Sequence, residues 1–375
     1  MYKRILMGAI ILVAGLSLFY WMITKPFACD SQVEMAALRF SPMSLGDGGH
    51  LVGIQPFLSP KDYACADRFR RKLAAYLDSV RSVGCLPESS IVVFPEYIGT
   101  WLVLMGEPAG AFHAQTLNGA MAWAVLRQPY AFWRAYQTAK REGWSDPAAV
   151  AAFRLKAQSM ARAFHQTFAE LARLYRIFIV AGSIVLPGAQ IVKDSLEVNP
   201  EAPLENIAIF YKPDGRPDSR IVRKAFPIAM ELGFTRPGAV QDLPTYETPM
   251  GRLGVLICAD SWFPQSYKAI GEIDLLAVPS YLMKDSCWGL PWRGYSGWDS
   301  PPDVKRTSMT EGEAWLTYAM GGRLPAHDSA AIGLNIFLRG RFWDLGADGR
   351  AIVVAGAKAK SLDVDVVCIG LPKKS

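Results

Sequence analysis

The chain has 375 residues, of which 51% are hydrophobic and 11% aromatic, and its formal net charge is +6. This composition is typical of a compact protein with a large apolar core, and it excludes an intrinsically disordered chain. The basic residues are scattered and match no nucleic-acid-binding motif, so no nucleic-acid partner is predicted.

The first predicted element is a membrane helix. Residues 5–24 contain no charge, and as a helix they would be about 30 Å long, which matches the hydrocarbon thickness of a bilayer. Lys3 and Arg4 precede this run, so the positive-inside rule predicts a single-pass protein whose main part is extracytoplasmic, or periplasmic in a Gram-negative cell. The length of the run and the missing cleavage site favour a retained anchor over a cleaved signal peptide. A lipoprotein signal ending at Cys29 is a third alternative, but the aliphatic residue expected three positions earlier is absent.

The rest of the chain is predicted to be one domain. Residues 1–25 form the anchor, 26–49 a linker and 50–375 the catalytic domain, with an aromatic-rich insert at about 100–147. The insert is interpreted as a helical pair that packs on the core, with a lid or a membrane-facing surface as the alternative.

Strand and helix patterns alternate along this domain, which indicates an α/β fold. The predicted strands cover residues 51–58, 91–94, 177–187, 206–211, 251–258, 273–280, 330–340 and 351–356, and the predicted helices cover 61–83, 146–175, 264–271 and 310–321.

The six cysteines are too few and too irregularly spaced for a disulfide framework. Cys65 and Cys85 bracket a predicted helix and would be about 25 Å or more apart, so they cannot pair. The four histidines lack metal-ligand spacing, and we predict neither a metal nor a cofactor.

Four chemically reactive side chains occur in or near apolar segments. Glu96 ends IVVFPE, Lys224 lies in RIVRKAFP, Glu231 in AMELGF and Cys258 in GVLICADSWFP. Each alone would more often be a surface or packing residue. Strand ends of α/β sheets meet at ligand pockets, so we expect these groups to lie together. A thiol nucleophile, a proton-transferring carboxylate and an ammonium that stabilises negative charge form an acyl-transfer site.

Three segments resemble motifs of the nitrilase superfamily, the carbon-nitrogen hydrolases: VVFPE, RKAFP and LICADSWFP. The last of them is followed by GEIDLLAVPS, which also resembles the family. The resemblance covers about residues 50–356. It implies a four-layer α-β-β-α sandwich, here preceded by one N-terminal transmembrane helix, and assembly as a homo-oligomer.

The resemblance also implies roles for the reactive residues. Cys258 would be the nucleophile, Glu96 the general base and then the general acid, and Lys224 the oxyanion stabiliser together with the backbone N–H of Ala259. Glu231 would orient the substrate amine and the lysine. We also expect the neighbouring lysine to lower the pKa of the thiol.

Other positions are assigned less directly. Asp260 and Trp262 lie close to the nucleophile and are expected to face the pocket, although Trp262 fits a structural role equally well. The family often has an Arg-Ala-x-Glu-Asn motif after the late helix, and Arg323, His327 and Asn335 match it only loosely. The sequence therefore does not assign the residues of the pocket wall or of the dimer contacts.

We therefore predict a thiol-dependent hydrolase of non-peptide C–N bonds, amidase-like, that forms a covalent acyl-enzyme with a small-molecule amide, nitrile or acyl substrate. The alternatives are an N-acyltransferase similar to apolipoprotein N-acyltransferase, a nitrilase, and a non-catalytic binding module. The intact set of Glu96, Lys224 and Cys258 argues against the binding module.

Overall fold

The computed structural model describes residues 2–30, 32–88, 90–297 and 300–373. Strands β1 to β19 comprise, in chain order, Phe40–Ser44, His50–Ile54, Phe57–Leu58, Ile91–Val93, Phe178–Val180, Ile184–Pro187, Gln190–Val192, Ser195–Glu197, Leu204–Ala208, Phe210–Tyr211, Val222–Arg223, Thr245–Thr248, Gly251–Val255, Leu275–Ser280, Ile332–Phe337, Arg339–Gly340, Ala351–Ala355, Lys358–Leu362 and Val366–Gly370. Helices α1 to α9 comprise Tyr2–Thr24, Ala66–Ser82, Ala109–His113, Leu117–Arg127, Pro129–Arg141, Pro147–Tyr175, Pro264–Ile270, Glu311–Tyr318 and Met320–His327.

Two six-stranded sheets form the centre of the fold. The first has the strand order β1-β19-β2-β4-β5-β10 and the second β12-β13-β14-β15-β17-β18. Strands β2, β4 and β5 run parallel in the first sheet, as do β13, β14 and β15 in the second. Because parallel strands end at one edge of a sheet, the loops after them share that edge.

The side chains of β4 show how the layers are arranged. Val92 belongs to the core that contains α2 and α6, whereas Ile91 and Val93 belong to the core formed with the second sheet. This alternation places helices on the outer face of the first sheet, and α7 to α9 pack against the second. The layers therefore run helix, sheet, sheet, helix, and the predicted mixed α/β fold is confirmed.

The predicted strand 177–187 is interrupted at Gly182, and its two parts, β5 and β6, belong to different sheets. Gly182 has φ +66°, and a Cβ there would lie 2.1 Å from the Pro95 carbonyl oxygen. Only glycine fits this close approach. The break places Ser183 so that its Oγ accepts a hydrogen bond from Tyr97 N at 2.9 Å, which holds the turn after β4.

Residues 26–49, predicted to be a linker, contribute strand β1, which pairs in parallel with β19. A disulfide joins Cys29 to Cys65, with a Cα–Cα distance of 5.8 Å. The cysteine spacing did not predict this bond, because the two residues meet only after the segment has packed on the domain. Cys85 is a buried free thiol.

The N-terminal segment forms helix α1. Among the helices of the described residues, none has both the length and the apolar character that crossing a membrane requires, so the structure does not support the predicted transmembrane helix. The aromatic-rich insert folds as α3, α4 and α5, and α5 packs along α6.

Candidate active site

The structure brings Glu96, Lys224, Glu231 and Cys258 together. Glu96 follows β4, Lys224 follows β11 and Cys258 follows β13, while Glu231 opens a short 3-10 turn at residues 231–233. Glu96 is 1% exposed, Lys224 2% and Cys258 6%. The four predicted groups therefore form one buried cluster.

The Lys224 ammonium lies between two carboxylates. Its Nζ donates to Glu96 Oε1 at 2.8 Å and to Glu231 Oε2 at 2.5 Å. Asn206 Nδ2 bridges the same carboxylates by donating to Glu96 Oε1 at 2.9 Å and to Glu231 Oε1 at 3.0 Å. Buried charges are tolerated when they are paired and hydrogen-bonded in this way, and the network fixes the position of each group.

Cys258 has a left-handed backbone conformation, with φ +50°. Such strain in a non-glycine residue persists only where the surrounding structure enforces it. The short turn 258–262 begins at this residue. Its Sγ donates to the Tyr281 carbonyl oxygen at 3.9 Å. The Glu96 carboxylate lies near enough to the sulfur for its charge to act on the thiol.

The electrostatics of the cluster assign the charges. Burial opposes the charge of Lys224, but Glu231 and Glu96 outweigh it and raise the lysine pKa well above its usual value. Burial raises the pKa of Glu96 although Lys224 acts in the opposite direction. For Glu231, burial is outweighed by Lys224 and by hydrogen bonds, so its pKa is lowered. Glu96 is therefore the carboxylate better suited to carry a proton.

The expectation of a lowered thiol pKa is wrong. Burial and the Glu96 charge raise the pKa of Cys258 well above its usual value, and the opposing effect of Lys224 is smaller. The resting sulfur is therefore a neutral thiol. A proton passed from this thiol to a charged Glu96 would leave the net charge of the cluster unchanged, which would avoid a second uncompensated buried anion.

Glu231 is held by protein groups on both oxygens. Besides Lys224 and Asn206, it accepts hydrogen bonds from Tyr97 Oη at 2.7 Å and from Ile228 N at 2.8 Å. These contacts make it a positioning residue for the lysine.

Asp260 does not face the pocket as expected. It is fully buried, and it accepts hydrogen bonds from the backbone N–H groups of Ala225, Phe226 and Ile257 at 2.8 to 3.2 Å. A carboxylate next to the nucleophile satisfies these buried amides and so ties the loop carrying Lys224 to the turn carrying Cys258.

A cavity of about 380 Å³ opens on the nucleophile, here called the thiol cavity. Its wall includes Ala259 and Trp262, which the sequence predicted to lie near the pocket. The Trp262 ring also packs edge-on against the Trp315 ring, with the ring centroids 5.2 Å apart. Tyr281 and Tyr295 complete this side. The sequence analysis missed both tyrosines, because the irregular segments around them carry no periodic signal.

Asn206 and Tyr97 were also missed. Asn206 is the one polar residue in the apolar run NIAIF, and Tyr97 directly follows Glu96. The position of Asn206, a polar residue at the start of an apolar strand, is the sequence feature that could have marked it as a site residue.

The three loosely matching residues lie outside the cluster. Arg323 Nε donates to the Trp262 carbonyl oxygen at 3.0 Å, and its Nη1 pairs with Asp303 at 2.6 Å, so it supports the pocket wall. His327 Nε2 lies 2.8 Å from the Gly271 carbonyl oxygen, and Asn335 Nδ2 donates to Ser280 Oγ at 2.7 Å. Within the described part of the chain, no group of three or more His, Cys, Asp or Glu side chains is arranged to hold a metal ion.

Comparison with known proteins assigns this fold to a family. The family model described as carbon-nitrogen hydrolase matches residues 68–280, more than half of the chain. The chain therefore belongs to the carbon-nitrogen hydrolase family. No curated protein matches it.

Solved structures share the fold at low identity. An amidase from Nesterenkonia sp. superposes with a TM-score of 0.50 at 14% identity, covering 92% of this chain and 95% of that chain. A cysteine mutant of the Nesterenkonia AN1 amidase, described as from the nitrilase superfamily, gives 0.50 at 14% identity over 87% of this chain and 92% of that chain.

Replacing Lys224 with methionine should destabilise the protein by about 3–5 kcal/mol near neutral pH, because two buried carboxylates lose their cation. Without that cation, burial raises the pKa values of Glu96 and Glu231 above their unfolded values. The loss of unfolding free energy caused by the substitution should therefore become smaller as the pH falls through these raised pKa values and both carboxylates become protonated.

Urea unfolding at about pH 7 and about pH 5 measures this effect. Lys373→Met is the control, since Lys373 pairs with Asp47 on the surface and its loss should not change the free energy of unfolding. Equal destabilisation at both pH values would contradict the charge argument.

Proposed function

We propose that the protein is an amidase that cleaves a non-peptide C–N bond through a covalent thioester on Cys258. The observation that carries this proposal is the single buried cluster in which Lys224 bonds to Glu96 at 2.8 Å and the charge of the same carboxylate acts on the Cys258 thiol. A thiol beside a base, with the base oriented by a third group, is the arrangement that nucleophilic catalysis requires.

The proposed reaction begins when Glu96 takes the thiol proton and Cys258 Sγ attacks the amide carbon. Lys224 Nζ and the Ala259 backbone N–H stabilise the oxygen of the tetrahedral intermediate. The C–N bond then breaks as Glu96 returns the proton to the leaving amine. Water, deprotonated by Glu96, attacks the thioester and releases the carboxylic acid and the thiol.

We take an amide as the substrate in preference to a nitrile; both require a proton donor for the leaving nitrogen, and the raised pKa of Glu96 suits that task. The solved relatives described above are named amidases, which agrees with this preference.

The test is turnover by the full chain of a panel of primary amides and nitriles, followed as ammonia release, with intact mass spectrometry after acid quenching. We expect ammonia from amides and a mass increase equal to the acyl group on Cys258. The mechanism would be overturned if the wild type released ammonia with no adduct on Cys258 and the Cys258→Ala variant kept the same turnover. No turnover of any amide would overturn the proposed function and favour the binding-module alternative.

We also propose that the protein acts outside the cytoplasm and is attached to a membrane through residues 5–24, and that it assembles as a homo-oligomer. The Cys29–Cys65 disulfide supports the location, because such bonds persist in oxidising compartments. Leu6, Ile11 and Trp21 on α1 are more than half exposed, and an apolar helix surface of this kind favours contact with lipid. Light scattering of the purified protein would measure the oligomeric state.

Alkylation of the protein in intact cells tests the location. We expect Cys29 and Cys65 to react only after reduction, and Cys65→Ser to lower the free energy of unfolding by about 2–4 kcal/mol through loss of the cross-link. If both thiols react with the alkylating reagent without prior reduction, the protein does not lie in an oxidising compartment. Release of the full chain from membranes by alkaline carbonate would contradict stable anchoring.

A further inference from the structure

A second cavity lies beside the catalytic cluster. Its volume is about 460 Å³, and it is formed by α4, the start of α5, the start of α6 and residues near the active site. Well-packed protein interiors contain few spaces larger than a water molecule, whereas small-molecule sites are about 300–1,000 Å³. A space of this size can therefore hold a small molecule. We call it the tail cavity.

The tail cavity adjoins the thiol cavity. Met230, Tyr281, Met283 and Leu345 line both spaces. The tail cavity also reaches Glu231, which bonds to Lys224. A molecule whose carbonyl group reacts at Cys258 would have to pass only these shared side chains to extend into the tail cavity.

The wall of the tail cavity is mainly apolar, with side chains of the insert such as Met121, Val125 and Phe132. Two polar residues on the wall bond within the protein, whereas the buried Trp101 Nε1 has no hydrogen-bond partner among the described residues. Asp146 accepts from Ala149 N at 3.0 Å, and Thr100 Oγ1 accepts from Val185 N at 3.1 Å. Such a wall favours hydrocarbon over a charged or sugar-like group.

Helix α1 lies against the insert near this cavity. Tyr20 Oη donates to the Leu126 carbonyl oxygen at 2.8 Å, and the Phe27 ring stacks on Phe112 with centroids 4.6 Å apart. Ala122, on the wall, is exposed at the surface, and Tyr130 and Trp133 nearby on α5 are 70% and 57% exposed. The entrance side of the cavity is therefore bordered by apolar surface.

We propose that the tail cavity holds an unbranched alkyl chain of the substrate, so that the natural substrate is an amphiphilic amide. This inference rests on the proposed amidase function and specifies its substrate class. An alkyl chain fits because it gains free energy from burial alone and needs no hydrogen-bonding partner.

The experiment compares two substrate series with the full chain. Primary amides from propionamide to decanamide place the chain on the acyl part, and N-alkylacetamides of the same lengths place it on the amine. In one series kcat/KM should rise about fourfold for each added methylene until the cavity is filled. The adduct mass on Cys258 identifies the series, since it contains the chain only when the chain is on the acyl part.

Substitutions in the wall provide the second measurement. Ala122→Trp and Ala149→Phe should each lower the ratio of kcat/KM for the longest to the shortest substrate by about tenfold or more, the effect of losing two methylenes. Phe153→Ala should move the optimum to a longer chain. Leu126→Trp is the control, because Leu126 is exposed on α4 outside the cavity wall, and it should leave the ratio unchanged.

Binding measured without chemistry keeps the test valid if a variant turns over poorly. Decanamide should bind Cys258→Ala more tightly than propionamide, and Ala122→Trp in the same background should remove the difference. Turnover of short amides with no dependence on chain length in either series would overturn this inference and leave the proposed function intact. Absence of turnover and adduct with every amide would overturn the proposed function.

Discussion

Replacing Cys258 with alanine should lower kcat by about 10⁴-fold or more, because no other group can form the thioester. Folding should be retained, since the change removes one sulfur atom from a side chain that already lies beside a cavity. The measurement is ammonia release from the best amide, together with the urea midpoint. Cys258→Ser should be almost as inactive, because a hydroxyl gives up its proton to Glu96 much less readily than a thiol.

Cys287→Ala is the matched control. Cys287 is also a buried free thiol, 6% exposed, and it does not line the thiol cavity. Its replacement should leave kcat unchanged. Equal losses in the two variants would indicate that disturbed packing, and not a missing nucleophile, explains the inactive Cys258→Ala protein.

Replacing Glu96 with glutamine should lower kcat by about 10³-fold, since general acid–base catalysis contributes about 10²–10⁴-fold. The same change should lower the pKa of Cys258, because the charge of Glu96 is one of the two main causes that raise it. A lower pKa increases the thiolate fraction at a given pH. We therefore expect faster alkylation of Cys258 by iodoacetamide at neutral pH in a variant that hardly turns over.

Slower turnover combined with faster alkylation of Cys258 would distinguish a role of Glu96 as general base from a purely structural role, because disturbed packing would not produce both changes. Glu107→Gln is the control, because Glu107 is equally buried, at 1% exposed, and pairs with Lys156. It should alter neither turnover nor the pH profile of alkylation. An alkylation profile in Glu96→Gln that matches the wild type would contradict the assigned electrostatic coupling, and unchanged turnover would exclude Glu96 as the base.

The sequence by itself determined the class of fold and the reactive groups. Residues Ile91–Val93 and Leu275–Ser280 are apolar because parallel strands are buried on both faces, and this local pattern is readable without tertiary structure. Glu96 and Cys258 could be found because each follows such a strand, and the ends of parallel strands gather at one edge. Lys224 follows the short antiparallel strand β11 and was found from its RKAFP motif. Their convergence was therefore predictable, although their catalytic roles stay a proposal.

Only the tertiary structure decided the environment of these groups. The raised pKa of Cys258 depends on burial and on its distance from Glu96, and neither quantity is a property of the local sequence. Asp260 looked like a pocket residue because it lies close to Cys258 in the sequence, but it accepts hydrogen bonds from three backbone N–H groups on two separate segments, Ala225 and Phe226 on one and Ile257 on the other. The same holds for the Cys29–Cys65 bond, the break at Gly182 and the tail cavity. Each arises from contacts between segments far apart in the chain, which no local pattern of residues encodes.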